Sequence, residues 1–199
     1  GANSQLLAST GEFNTSLGSQ SMGTGVTTGD HNTALGYKAG EDLVGGHSNV
    51  LVGSFAGSAI NSGVQNYDSL FTNQDGDGNV AVGTAALYTL EPADGLSYNT
   101  AVGYSAGKLM STAVQNTIIG GLAGDAITTG SDNVAVGYQA LSAEDAHGRN
   151  VAIGAQALQN QNAGANAFNV AVGFQSGLNV TTATANTLIG GLAGDSITE

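Results

Sequence analysis

A chain of 199 residues with a formal net charge of −12, three Lys and Arg in all and no cysteine leaves little room for several common functions. Clustered Lys and Arg are what hold nucleic-acid phosphates or anionic lipid, and without cysteine there is neither a disulfide framework nor thiolate chemistry. Charged residues make up 9% of the chain against about 25% in ordinary globular proteins, and glycine reaches 32 residues while proline occurs once, at Pro92, a balance foreign to a Pro/Gly-rich linker.

Residues 1–13 read as a lead-in. Their GANSQLLAST carries no basic stretch followed by an apolar core, so no signal peptide is expected there. From Asn14 onward the chain repeats one element, Asn-[Thr/Val]-x-[Leu/Val/Ile]-Gly. In order it reads NTSLG at 14, NTALG at 32, NVLVG at 49, NVAVG at 79, NTAVG at 99, NTIIG at 116, NVAVG at 133, NVAIG at 150, NVAVG at 169 and NTLIG at 186. Most copies follow one another after 17 residues, a few after 18, 19 or 20, and one gap of 30 separates Asn49 from Asn79. Within that gap Asn66 lies 17 after Asn49 and follows Val64-Gln65, as Asn116 follows Val114-Gln115. Residues 66–78, NYDSLFTNQDGDG, therefore read as a degenerate eleventh copy, with a distorted coil or loop expected over 62–78.

With the Asn at position 0, position +7 is nearly always Ala, and +8 is either Gly or a large aliphatic residue such as Leu87, Leu141 or Leu158. Position +11 is usually apolar: Leu43, Ile60, Leu90, Met110, Ile127, Val180 and Ile197. Four copies form a higher unit, so that VQNTIIGGLAGDAIT at 114–128 returns as TANTLIGGLAGDSIT at 184–198, 70 residues later. The chain ends at Ile197-Thr198-Glu199, inside this pattern, as a piece of a longer protein would.

Val-Ala-Val is a short strand of period 2, and Gly at +4, often also at +8, supplies the positive φ of a corner. A period of 17 residues is too short for a helical pair. The expected fold is all-β: a parallel β-solenoid of about eleven coils over residues 14–199, each coil carrying one or two strands. Stacking places the Asn residues above one another as a ladder through Asn32, Asn49, Asn79, Asn99, Asn116, Asn133, Asn150, Asn169 and Asn186. A coil lined by Ala and Val encloses little volume, so Leu122, Leu141, Leu158 and Leu192 need a partner surface, and a homotrimer supplies one.

NVAVGYQAL, NTAVGYSAG and NVAIGAQAL resemble the N-[ST]-x-A-[IV]-G-x-x-[AS] repeats of trimeric autotransporter adhesin heads. They are still more similar to the NTA-[IV]-GYQA repeats of long phage tail-fibre proteins, since the adhesin heads use a shorter repeat. The resemblance covers residues from about Phe13 to Thr198. It implies a left-handed β-roll, trimeric, in an extracellular virion fibre that attaches to a host surface, or alternatively a bacterial cell-surface head.

The candidate sites are few. Receptor contacts are expected where aromatics break the pattern: Tyr67, Phe71, Tyr88, Tyr98 and Phe168. Tyr37, Tyr104, Tyr138 and Phe174 share position +5 and read as a structural or surface ladder, with sugar stacking as the alternative reading. Asp75, Asp77 and Asn79 have the opening spacing of a calcium loop, but Val80 and Ala86 stand where an EF-hand needs Gly and Glu, so a solvated loop is the better reading. His31, His47 and His147 read as surface histidines. Val136–Leu141 fits a hexapeptide acyltransferase unit once where three successive units are needed, and an ice-binding array would want Thr where position +1 mixes Thr with Val. No enzyme activity, cofactor, nucleic acid or membrane insertion is expected; a host glycan or protein is.

Overall fold

The computed structural model of the protein describes residues 11–23, 28–41, 43, 47–54, 56, 76–90 and 95–198. The strands are β1 (Thr15–Leu17), β2 (Thr33–Leu35), β3 (Val50–Val52), β4 (Gly76–Asp77), β5 (Val80–Val82), β6 (Gly95–Leu96), β7 (Thr100–Val102), β8 (Thr117–Ile119), β9 (Val134–Val136), β10 (Val151–Ile153), β11 (Val170–Val172) and β12 (Thr187–Ile189). Ten of them form one parallel sheet in the order β1-β2-β3-β5-β7-β8-β9-β10-β11-β12, and β4 pairs with β6 in a separate two-stranded ladder. The chain is thus a β-solenoid with one main-sheet strand for each Asn motif. At the usual spacing of about 4.8 Å the ten rungs make a rod about 43 Å long.

Register is strict: Thr33 faces Val50, Val50 faces Val80, and Thr100 faces Thr117, so like positions stack. The eleventh coil expected from the motif near Asn66 adds no rung, because β3 and β5 pair directly. That copy lacks the Gly at +4 that all ten others carry. Its residues 66–75 lie outside the described residues.

The +4 glycines hold φ values of 122–144°. At all of them but Gly53 and Gly190 a Cβ would collide with the next coil: at Gly103 it would stand 2.6 Å from the Gly120 carbonyl oxygen. The conformation disfavours a side chain at every one of these corners, and at the eight that meet the next coil the space excludes it too.

Three further positions are left-handed with or without glycine. Position −1 (Phe13, His31, Ser48, Tyr98, Gln115, Asp132, Arg149, Phe168, Ala185), position +6 (Gln20, Lys38, Ala85, Ser105, Leu122, Gln139, Gln156, Gln175, Leu192) and position +8 all have φ near +47 to +67°. Their amides link coil to coil. Arg149 N donates to Ser131 O at 3.0 Å, Gln139 N to Gly121 O at 3.0 Å and Leu141 N to Ala157 O at 3.0 Å. A left-handed non-glycine residue costs roughly 1–2 kcal/mol. A backbone hydrogen bond returns about 0.5–1.5 kcal/mol, and stacking and burial supply the remainder.

The Asn ladder runs unbroken from Asn14 to Asn186. In every step the backbone N–H of the next Asn donates to the side-chain Oδ1 of the one before, as from Asn116 to Asn99 at 3.0 Å, Asn133 to Asn116 at 2.9 Å and Asn150 to Asn133 at 3.0 Å. Amide-to-amide bonds between the side chains, the expected rungs, occur only in some steps, such as Asn49 Nδ2 to Asn32 Oδ1 at 3.1 Å. Elsewhere Nδ2 reaches a corner carbonyl of the next coil, as Asn99 does to Ala113 O at 2.8 Å. Both ends of the buried amide are thereby satisfied.

Position +2 points inward, and Ala81, Ala101, Ile118, Ala135 and Ala152 are fully buried there with the +7 alanines from Ala39 to Ala157. Leu141 and Leu158 are also fully buried within the single chain. The expectation that they need a partner surface is therefore corrected: each points into the interior that the Ala residues around it leave open. Leu122 is half-buried and Leu192 exposed.

Candidate functional site

Two surfaces run the length of the rod. The first is the outer face of the main sheet. Position +3 shows Leu17, Leu35, Ile119, Ile153 and Ile189 to solvent, the last at 71% exposure. Position +5 adds Tyr37, Tyr104, Tyr138 and Phe174, all at 45–61% exposure. No charged residue stands at +1, +3 or +5 in any of the ten copies, in a chain of net charge −12. The aromatics are not a continuous stack. Gly121 lies between Tyr104 and Tyr138, and a Cβ on it would touch the Tyr138 ring at 3.7 Å.

The second surface is the row of left-handed −1 residues, which sequence reasoning did not single out as a row because its side chains vary from copy to copy. Two receptor-contact candidates, Tyr98 and Phe168, fall on it, each 53% exposed. Neighbours on the row touch. Phe13 stacks on His31 with ring centroids 5.0 Å apart. Arg149 Nε lies 3.6 Å from Asp132 Oδ2, and its guanidinium sits 5.6 Å from the centre of the Phe168 ring. Asp132, Arg149 and Phe168 thus join three successive coils in one exposed polar and aromatic strip.

Tyr88 is half-buried at the +9 corner. Tyr67, Phe71 and Asp75 lie outside the described residues. Asp77 lies in β4, and Asn79 is fully buried. Its Oδ1 accepts the Asn99 amide at 2.9 Å and its Nδ2 donates to Ser97 Oγ at 2.8 Å, so its side chain belongs to the ladder and is not free for a calcium ion.

The three histidines differ. His31 stacks on Phe13, and His47 Nδ1 accepts the Asp30 amide at 2.9 Å. His147 is more enclosed. It faces Glu144, which is fully buried at a +11 position where most other coils carry Leu, Ile, Met or Val. Burial pushes the Glu144 carboxyl above its usual range, against the smaller pull of the His147 amide and ring. Gln161, the +11 residue of the next coil, is buried too and accepts from Asn169 Nδ2 at 2.8 Å. Both polar residues were legible as breaks in the +11 pattern. Their burial was not.

No helix among the described residues is long and apolar enough to cross a membrane. Comparison of the chain with protein-family models, with curated proteins and with solved structures returns no match.

Proposed function

We propose that the chain is a non-enzymatic rod segment of a homotrimeric extracellular fibre, of the phage tail-fibre type, that carries attachment to a host surface. The observation that carries this reading is the uncharged stripe at +1, +3 and +5 along the sheet face. Exposed apolar surface of that extent favours association. Because the net charge of −12 is kept off the stripe, identical chains can approach along it without facing like charges. Three copies around one axis would cover the stripe and multiply weak surface contacts into avidity.

Sedimentation equilibrium on the purified chain tests the assembly, with the trimer mass expected. Ile153→Lys together with Tyr138→Lys, placed on the stripe, should yield folded monomer. A wild-type chain that sediments as a folded monomer at all concentrations overturns the reading.

A second reading, the adhesive head of a bacterial surface protein, is favoured by the −1 strip, where Tyr98, Arg149 and Phe168 present stacking and charged groups suited to a glycan. Binding to a broad glycan array that disappears in Phe168→Ala supports the head. Silence across the array leaves the spacer.

A further inference from the structure

We propose that Glu144, Asp145 and His147 form a binding site for a divalent transition-metal ion of the zinc type. One ligand atom from each lies within 4.8 Å of the others. Glu144 Oε1 and His147 Nδ1 are 3.6 Å apart. That is close to the edge of about 3.3 Å in a tetrahedron built on metal bonds of about 2.0–2.1 Å.

Two buried atoms in this cluster have no hydrogen-bond partner: Glu144 Oε2 and His147 Nδ1. A fully buried carboxylate oxygen and a ring nitrogen left unpaired are costly. The unpaired ring nitrogen lies 3.6 Å from Oε1 of the same carboxylate whose Oε2 is unpaired, and one cation held by the carboxylate and the ring would satisfy both. Glu144 also occupies a position that most copies of the repeat fill with apolar side chains and no other copy with a carboxylate, so the carboxylate is not required by the fold.

The loop that carries the ligands is held from both sides. The Asp145 carbonyl accepts Thr128 N at 2.5 Å and Thr128 Oγ1 at 2.9 Å from the coil before. The His147 carbonyl accepts Asn133 Nδ2 at 3.3 Å, and the His147 amide donates to Glu144 Oε1 at 3.1 Å. Gly148 N donates to Asn166 Oδ1 at 3.0 Å from the coil that follows. A Cβ on Gly130 would run into the His147 carbonyl, and one on Gly148 into that of Ser131. Asp145 is exposed and the His147 side chain 29% so, which leaves a way in and a face for water as a further ligand.

One imidazole with two carboxylates suits zinc, cobalt, nickel or manganese, and the imidazole disfavours calcium and magnesium. Isothermal titration of the full chain with zinc chloride at neutral pH should give one saturable site per chain and a rise in melting temperature. His147→Ala and the isosteric Glu144→Gln should each weaken binding by about 100-fold or more, beyond the loss of a supporting hydrogen bond. His47→Ala, at the histidine–carboxylate contact with Asp30, should leave it unchanged. Circular dichroism of each variant separates loss of the site from loss of the coil. Absence of saturable zinc binding to the wild type, or binding that survives His147→Ala in a folded chain, overturns the proposal.

Discussion

The coils that begin at Asn116 and Asn133 have nearly the same backbone and opposite interiors. At +8 both are left-handed, Gly124 with φ 50° and Leu141 with φ 53°. The first coil fills its centre from +2 and +11, with Ile118 and Ile127, and keeps +8 as glycine. A Cβ on Gly124 would stand 2.8 Å from Ile127 Cδ1 and 3.1 Å from Ile118 Cδ1. The second coil shrinks +2 to Ala135, fills the space with Leu141 and gives +11 to Glu144. A left-handed Leu costs roughly 1–2 kcal/mol, and burying its side chain gains about 1.5–3 kcal/mol, so burial carries the strain. Volume, more than local conformational preference, selects the residue at +8.

The largest effect should come from breaking what the two coils share. Gly120→Ala, at the +4 corner of the first (φ 135°), places a Cβ against the backbone of the second. With strain and clash together the loss should exceed about 3 kcal/mol, read from chemical denaturation at fixed protein concentration. A loss below 1 kcal/mol would mean the corner can move. Leu141→Ala should cost about 2–4 kcal/mol by opening a cavity while keeping the strained φ. The matching test in the first coil is Gly124→Leu, which overpacks Ile118 and Ile127 at about 1–3 kcal/mol. Combining it with Ile118→Ala should recover most of that loss, and failure of the pair to recover would refute the volume rule. Asp125→Asn should be the smallest. Burial holds the Asp125 carboxyl above its usual value, opposed by its own backbone amide and by Lys108. A raised carboxyl pKa contributes stability below the unfolded value of 3.8 and loses it as pH rises through the folded value. The variant should therefore melt slightly higher than wild type at pH 7 and no higher near pH 3, as differential scanning calorimetry would show.

The period, the +4 glycines, the buried +7 alanines and the Asn ladder were legible because each is a like residue at a fixed interval, and stacking needs likeness. The ladder's main link was not. It runs from backbone N–H to side-chain oxygen, and the residue before each Asn must turn left-handed to present that geometry. Phe13, Tyr98, Arg149 and Phe168 carry no mark of this conformation, since the coil's hydrogen bonds impose it on whatever side chain is there. The motif near Asn66 misled in the other direction: it kept the Asn but lost the glycine, and the sheet closed from β3 to β5 without it.

Sequence alone determined the repeat, its all-β parallel stacking and the interior or exterior tendency of each position. These follow from a short period and from the residues that can occupy a corner. Only the tertiary structure decided which side chains fill each level, because a cavity is set by three positions together and by the coils above and below. That is why Leu141 and Leu158 lie inside one chain, why Glu144 is buried opposite His147, and why the uncharged stripe faces outward along the whole sheet.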